Sequence, residues 1–262
     1  MNIIKRDIED IKQNGYDLDY SNVFTLAFEN YKKIALTAGL AYLVVIVIAG
    51  ILFGTLIFGV IGAAFISDTM PQFEVESFPM TWVLGYIFFI TAITALSSPV
   101  NAGLIRMAQD AAKGNQPSLG TAFSYYTSRY FKDILTATLV ITLFTSCFSI
   151  GLEWIGYSFF GTMISLMISF FTFLTIPLIV FSDMNAMKAI EGSIVIVSKQ
   201  FFILLALLIV SVLFAMLGFF GFCIGILFTM PFLNAMYYTI YAQIIGDEQE
   251  EETFETFHMP EE

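Results

Sequence analysis

Four polar residues stand out against an apolar background: Asn101, Arg106, Asp110 and Asn234. Arg106 and Asp110 are spaced i, i+4, so on a helix they lie one turn apart and can pair. At the edge of an apolar run, such a pair either braces the interface or forms a gate or an anionic-headgroup site. Asn101 and Asn234 each follow a proline, Pro99 and Pro231, inside an apolar run. Their amides can meet a polar substrate, or they can hydrogen-bond between helices and to carbonyls that the prolines leave free. Elsewhere the ingredients of catalysis are missing. The single histidine, His258, lies in an acidic tail. Cys147 and Cys223 lie in apolar runs without metal-ligand spacing and read as small packing residues. No carboxylates pair within an apolar run, and no cysteine has a reactive setting, so no enzyme, metal or cofactor is expected. Ion-coupled transport places ionisable residues inside the bundle, and the apolar runs hold none there.

These residues must be positioned by membrane helices. The chain is 58% hydrophobic and 13% charged, and its mean hydropathy is +0.81. Long runs without charge read as transmembrane segments. Six are expected, at about 34–66, 81–104, 134–151, 157–182, 202–219 and 222–245. Three prolines fall within them, Pro99, Pro177 and Pro231, one in each even-numbered span. Each removes a backbone hydrogen bond and kinks its helix. Ser97 and Ser98, beside Pro99, can satisfy freed carbonyls. Gly50 with Gly54, and Gly59 with Ala63, are small-xxx-small pairs that permit close helix approach.

Amphipathic segments precede the odd-numbered spans. Ile4, Ile8 and Ile11 share a helical face before an Asn14-Gly15 turn. Ser21 is the expected N-cap of a helix with Phe24, Ala27, Phe28 and Tyr31 on one face. Ser118 caps a second, with Leu119, Ala122, Phe123, Tyr126 and Tyr130 on one face. Asp183 opens a third, with Met187, Ile190, Ile194, Val197 and Phe201 as its stripe. These helices should lie in the membrane interface. The order of amphipathic helix, span, and span with proline thus recurs three times. The expected class is an all-α polytopic membrane protein: residues 1–20 as a cytoplasmic segment, 21–246 as a six-helix domain, and 247–262 as a tail.

Charge fixes an orientation. Lys5, Arg6, Lys12, Lys32, Lys33, Arg106, Lys113, Arg129, Lys132, Lys188 and Lys199 all fall on one side of six spans. The opposite connections hold Asp68, Glu74, Glu76 and Glu153, and both tryptophans, Trp82 and Trp154. The positive-inside bias places both termini in the cytoplasm. No signal peptide is expected, because the first 33 residues are polar and mixed in charge. Eight of the 22 acidic residues lie at 247–262, a composition that predicts a disordered, solvated tail. Phe254 and Phe257 within it can form a docking motif for a partner. No basic stripe exists for nucleic acid.

The chain resembles a bacterial family of six-span membrane proteins of uncharacterised function. It is similar to the membrane domain that precedes the catalytic domain in some glycerophosphodiester phosphodiesterases. The likeness rests on NVFTLAFENYKKI at 22–34, SSPVNAGLIRMAQDAAKGNQPSLGTAFSYY at 97–126, MKAIEGSIVIVSKQFF at 187–202, and GFFGFCIGILFTMPFLNAMYYTIYAQIIG at 218–246. It implies a six-helix bundle in the bacterial inner membrane and no established activity. The phosphodiesterase domain is absent from the sequence. Some relatives resemble proteins labelled carotene-cleaving oxygenases, whose multi-histidine iron site has no counterpart here. The expected function is a non-enzymatic scaffold or accessory subunit, with the bilayer and other membrane proteins as partners. The alternative is binding or export of lipids or amphiphiles through the kinked even-numbered helices.

Overall fold

The computed structural model describes residues 6–66, 80–221 and 224–246. The 67–79 connection and the 247–262 tail lie outside them, as do Ile4, Cys223 and His258. The described residues form helices and connections, with no strand among them. In order these are α1 (Ile8–Asn14), α2 (Tyr20–Ile66), α3 (Met80–Ala112), α4 (Leu119–Phe123), α5 (Phe131–Trp154), α6 (Ser158–Thr172), α7 (Thr175–Ser182), α8 (Ala186–Lys199), α9 (Phe201–Leu217), α10 (Ile224–Thr229) and α11 (Pro231–Ile245). Five helical stretches among the described residues are long and apolar enough to cross a membrane: Tyr20–Ile51, Ile87–Ala112, Phe131–Trp154, Ser158–Ser182 and Phe201–Gly221.

The first amphipathic helix and the first span are not separate elements. They form one helix, α2, from Tyr20 to Ile66. No proline, glycine pair or capping residue near Lys33 interrupts it, so the helical register carries through. Ser21 is not its cap. Asp19 accepts hydrogen bonds from the Ser21 and Asn22 amides at 2.8 and 3.2 Å, satisfying two otherwise orphaned donors. The expected face does pack: Ala27 is buried, while Phe24, Phe28 and Tyr31 ring the buried Phe232 of α11.

The second amphipathic segment is capped by Ser118, whose Oγ accepts from the Thr121 amide at 3.2 Å. It then shortens to α4 and a 3₁₀ turn, Ser124–Tyr126. That tightening rotates the face, so Tyr125 is buried and Tyr126 is exposed. In the third segment Asp183 ends α7 in the left-handed conformation, with φ 54°. Asn185 is the true cap of α8 and accepts from the Lys188 amide at 3.0 Å. The buried stripe of α8 is Ala186, Ala189, Ser193, Ile196 and Val197; Met187 and Ile194 are exposed. Val197 of the expected stripe turns inward and Ile190 is half-buried, while Met187 and Ile194 share the exposed face with Lys188, Glu191 and Lys199.

The chain's turns sort into two ends. At one end the Arg6 amide donates to the Ile245 carbonyl at 2.8 Å, and Lys33 Nζ donates to the Ala111 carbonyl at 3.0 Å. The Tyr16 hydroxyl donates to the Ile196 carbonyl at 2.9 Å, and Gln200 Nε2 donates to the Tyr16 carbonyl at 2.8 Å. There the N-terminal segment meets the ends of α8 and α11, and α2 meets the end of α3. At the other end the α5–α6 turn, with Gly156 at φ 83°, and the 3₁₀ turn Gly218–Gly221 expose Trp154, Tyr157 and Phe220. The described basic residues belong to elements that converge on the first end. Gly50 and Gly54 face open space. Close approaches occur at Gly39, Gly103, Gly161, Gly192, Gly218 and Gly225. A Cβ on Gly103 would lie 2.2 Å from the Ala122 carbonyl oxygen of α4.

Candidate functional site

The three prolines are handled in three ways. Pro99 cannot donate to the Ala95 carbonyl four residues back. The Ser98 hydroxyl does so instead, at 2.7 Å, and α3 runs unbroken past the proline. Pro231 is the first residue of α11, where its missing amide is no loss. The Leu227 carbonyl it leaves free faces Gly39 of α2: a Cβ there would lie 3.2 Å from that oxygen and 2.6 Å from the Phe228 ring. Pro177 lies in the first turn of α7, just beyond a break at Phe173–Leu174 between α6 and α7. Ser193 of α8 closes that break, donating to the Phe171 carbonyl at 2.7 Å and accepting from the Leu174 amide at 3.2 Å.

The two asparagines downstream of Pro99 and Pro231 meet each other. Asn234 Nδ2 donates to Asn101 Oδ1 at 2.7 Å. The Tyr42 hydroxyl of α2 donates to Asn234 Oδ1 at 2.8 Å. Three helices, α2, α3 and α11, are thus tied at one point, and Asn234 is buried. Pro231 fixes the first turn of α11 and so sets the direction in which Asn234 points. Toward the basic end, Ser182 and Tyr241 share a hydrogen bond of 2.7 Å, joining α7 to α11. Each amide of the asparagine pair is engaged by a neighbouring helix, and the ionisable groups beside the junction are the phenols of Tyr42 and Tyr237.

Arg106 and Asp110 form the expected contact, with Arg106 Nε 3.4 Å from Asp110 Oδ1 and the arginine side chain 43% exposed. Tyr125 packs beside them. Burial pushes its phenol up to about 12, against the opposing pull of the Arg106 guanidinium. This pair borders the packed α3–α4 contact and does not reach the asparagine junction. A second ionic contact has no signal in local spacing. Arg129 Nη2 lies 2.6 Å from Asp183 Oδ1, and the Tyr130 hydroxyl also donates to Asp183. The arginine's pKa is raised by its Tyr130 hydrogen bond and by the Asp183 charge. This links the start of α5 to the α7–α8 turn.

Sequence reasoning missed Ser193, Tyr42 and Arg129. None carried a signal in local spacing, because each contact joins residues far apart in the chain. A further feature is an apolar groove of about 540 Å³ between α5, α6 and α8. Among the described residues no group of three His, Cys, Asp or Glu side chains is placed to hold a metal ion.

No protein-family model matches the chain, and neither a curated protein nor a solved structure shows a significant match to it.

Proposed function

We propose that this chain is a non-enzymatic scaffold or accessory subunit of a bacterial inner-membrane complex. It crosses the bilayer six times, with α10 and α11 as the sixth, proline-jointed crossing. Both termini and every basic residue face the cytoplasm, and the unit of amphipathic helix, span and proline-bearing span occurs three times. The chain belongs with the six-span family it resembles, and the acidic tail serves as a partner contact. The observation that carries this reading is the asparagine junction. The two asparagine amides bond to each other across helices, which suits assembly better than passage of a polar substrate. Convergence of the basic elements on one end supports the orientation.

Mild-detergent extraction at native expression level, followed by native electrophoresis and mass analysis, tests the function. The expected result is a discrete complex with a stoichiometric membrane partner, lost when residues 247–262 are deleted. Recovery of the chain alone, with tail deletion harmless in cells, overturns it. Reporter fusions at the Asp68–Glu76 connection test the orientation separately, with an external location expected.

Lipid or amphiphile handling is the second reading. Asn101 and Asn234 lend it little, because they bond to each other. What favours it is the apolar groove on α6, the first half of a broken span.

A further inference from the structure

We propose that the groove between α5, α6 and α8 holds one hydrocarbon chain of a membrane lipid. The inference deepens the second reading above and rests on α5 and α6 crossing the bilayer. The walls are apolar: Val140 and Phe144 of α5, Met167 and Phe171 of α6, Ile190 and Ile194 of α8. Two hydroxyls also line it, and both are turned away. Thr172 Oγ1 donates to the Ile168 carbonyl at 2.8 Å, and Ser198 Oγ donates to the Ile194 carbonyl at 2.6 Å. No lining group therefore offers a donor to an occupant, and no charged side chain lines the walls. Water here would find no donor and at most two hydroxyl acceptors, too few to hold it, and a space that stays empty forfeits contacts along all three helices. A polar headgroup is excluded for the same reason. The occupant that fits this chemistry, and that already surrounds the groove, is an acyl chain.

The geometry also explains why a groove exists. Ser193 draws α8 against the break after α6, while Asp133 of α5 accepts the Ala186 amide at 3.2 Å and holds the start of α8. The two tethers hold α8 against both helices. Met167 and Ile194, both exposed, flank the channel that remains between the three helices.

The test uses the full chain in vesicles of phosphatidylethanolamine and phosphatidylglycerol. A trace of phosphatidylethanolamine carries a diazirine in one acyl chain, and adducts are mapped by mass spectrometry after illumination. Adducts are expected to concentrate on Met167 and Phe144. Ile194→Trp, which fills the groove, should cut them by at least about fivefold, equivalent to roughly 1 kcal/mol of lost affinity. Adducts on Leu213, exposed on α9, should not change. Ile190→Phe gives the same reading from the opposite wall if the tryptophan variant fails to fold. Even labelling of α5, α6 and α9, insensitive to both substitutions, means only surrounding bulk lipid and overturns the proposal while leaving the membrane reading intact. Crosslinks to a second copy of the chain put a protein helix in the groove and also overturn it. Absence of adducts from α5 and α6 altogether overturns both.

Discussion

The two ends of the helix bundle are built on different terms. At the end where the termini meet, Ile11, Ala27, Ile105, Ala108, Ile196 and Ile244 are buried, and backbone and side-chain hydrogen bonds cross between elements. At the opposite end Phe148, Trp154, Phe159, Leu213 and Phe220 lie on the surface. Hydrophobicity does not separate them, since both ends are rich in large apolar residues. What separates them is how much of that apolar area neighbouring helices cover. Where chain ends and charged residues reach water, apolar area gains by being covered. Where helices meet lipid, a neighbouring helix offers little that an acyl chain does not, and association depends on close packing and hydrogen bonds. In this protein hydrogen bonds between elements are more numerous toward the first end, whereas close backbone approaches occur at both, at Gly103 and also at Gly218 and Gly225.

Paired substitutions at the two ends can break this contrast. The largest effect is expected at Gly103, where any side chain drives into the Ala122 backbone. Gly103→Leu should abolish a monodisperse folded species by size-exclusion chromatography in detergent, because the obstacle is backbone that cannot rotate away. Gly151→Leu, at the opposite end with nothing within 4 Å, should behave as the parent. Equal damage from both would mean that the open end is packed after all. Next in size is Ser193→Ala, which orphans the Leu174 amide and the Phe171 carbonyl. A loss of about 2 kcal/mol is expected by denaturant unfolding in mixed micelles, whereas Thr162→Ala on the exposed stretch of α6 should change stability by less than about 0.5 kcal/mol.

The asparagine junction sharpens the contrast at the level of single bonds. A double-mutant cycle of Asn101→Ala and Asn234→Ala should return a coupling energy of about 0.6–1.7 kcal/mol, the range for interhelical hydrogen bonds in membranes. A coupling near zero would mean that the two amides are held by packing alone. The smallest effect is expected for Arg129→Gln. Its ion pair with Asp183 is 73% and 64% exposed on the two sides, so water and salt screen it and the thermal midpoint should stay within measurement error.

How much of this could be read from the residues depends on the range over which each signal acts. Proline positions, the Asn14-Gly15 turn, the Ser118 cap and the α5–α6 turn near Gly156 are local, and all were legible. Ser98 as the stand-in donor at Pro99 was legible for the same reason, being one residue away. Asp19 in place of Ser21 is a shift of two positions, between residues that cap equally well. The failures are of another kind. Which face of α8 turns inward depends on the helices packed against it, and periodicity reports only that a stripe exists. Ser193 closing a gap 19 residues upstream, and Tyr42 reaching Asn234 across 192 positions, are facts of tertiary placement that no spacing encodes. The asparagine pair was visible as two candidates, but their meeting was not.

Helix α2 has a consequence of scale. At about 1.5 Å per residue its 47 residues measure about 70 Å, against roughly 30 Å of hydrocarbon. Transmembrane helices lean by about 40° at most, which absorbs only part of that excess. The start of α2, Tyr20 to Lys33, carries Glu29, Lys32 and Lys33. It takes up part of that excess at the end pinned beneath α11 and α4, and the rest must emerge on the far side. Changing the thickness of the surrounding bilayer would therefore swing α2 as a lever, and the pinned end would turn with it.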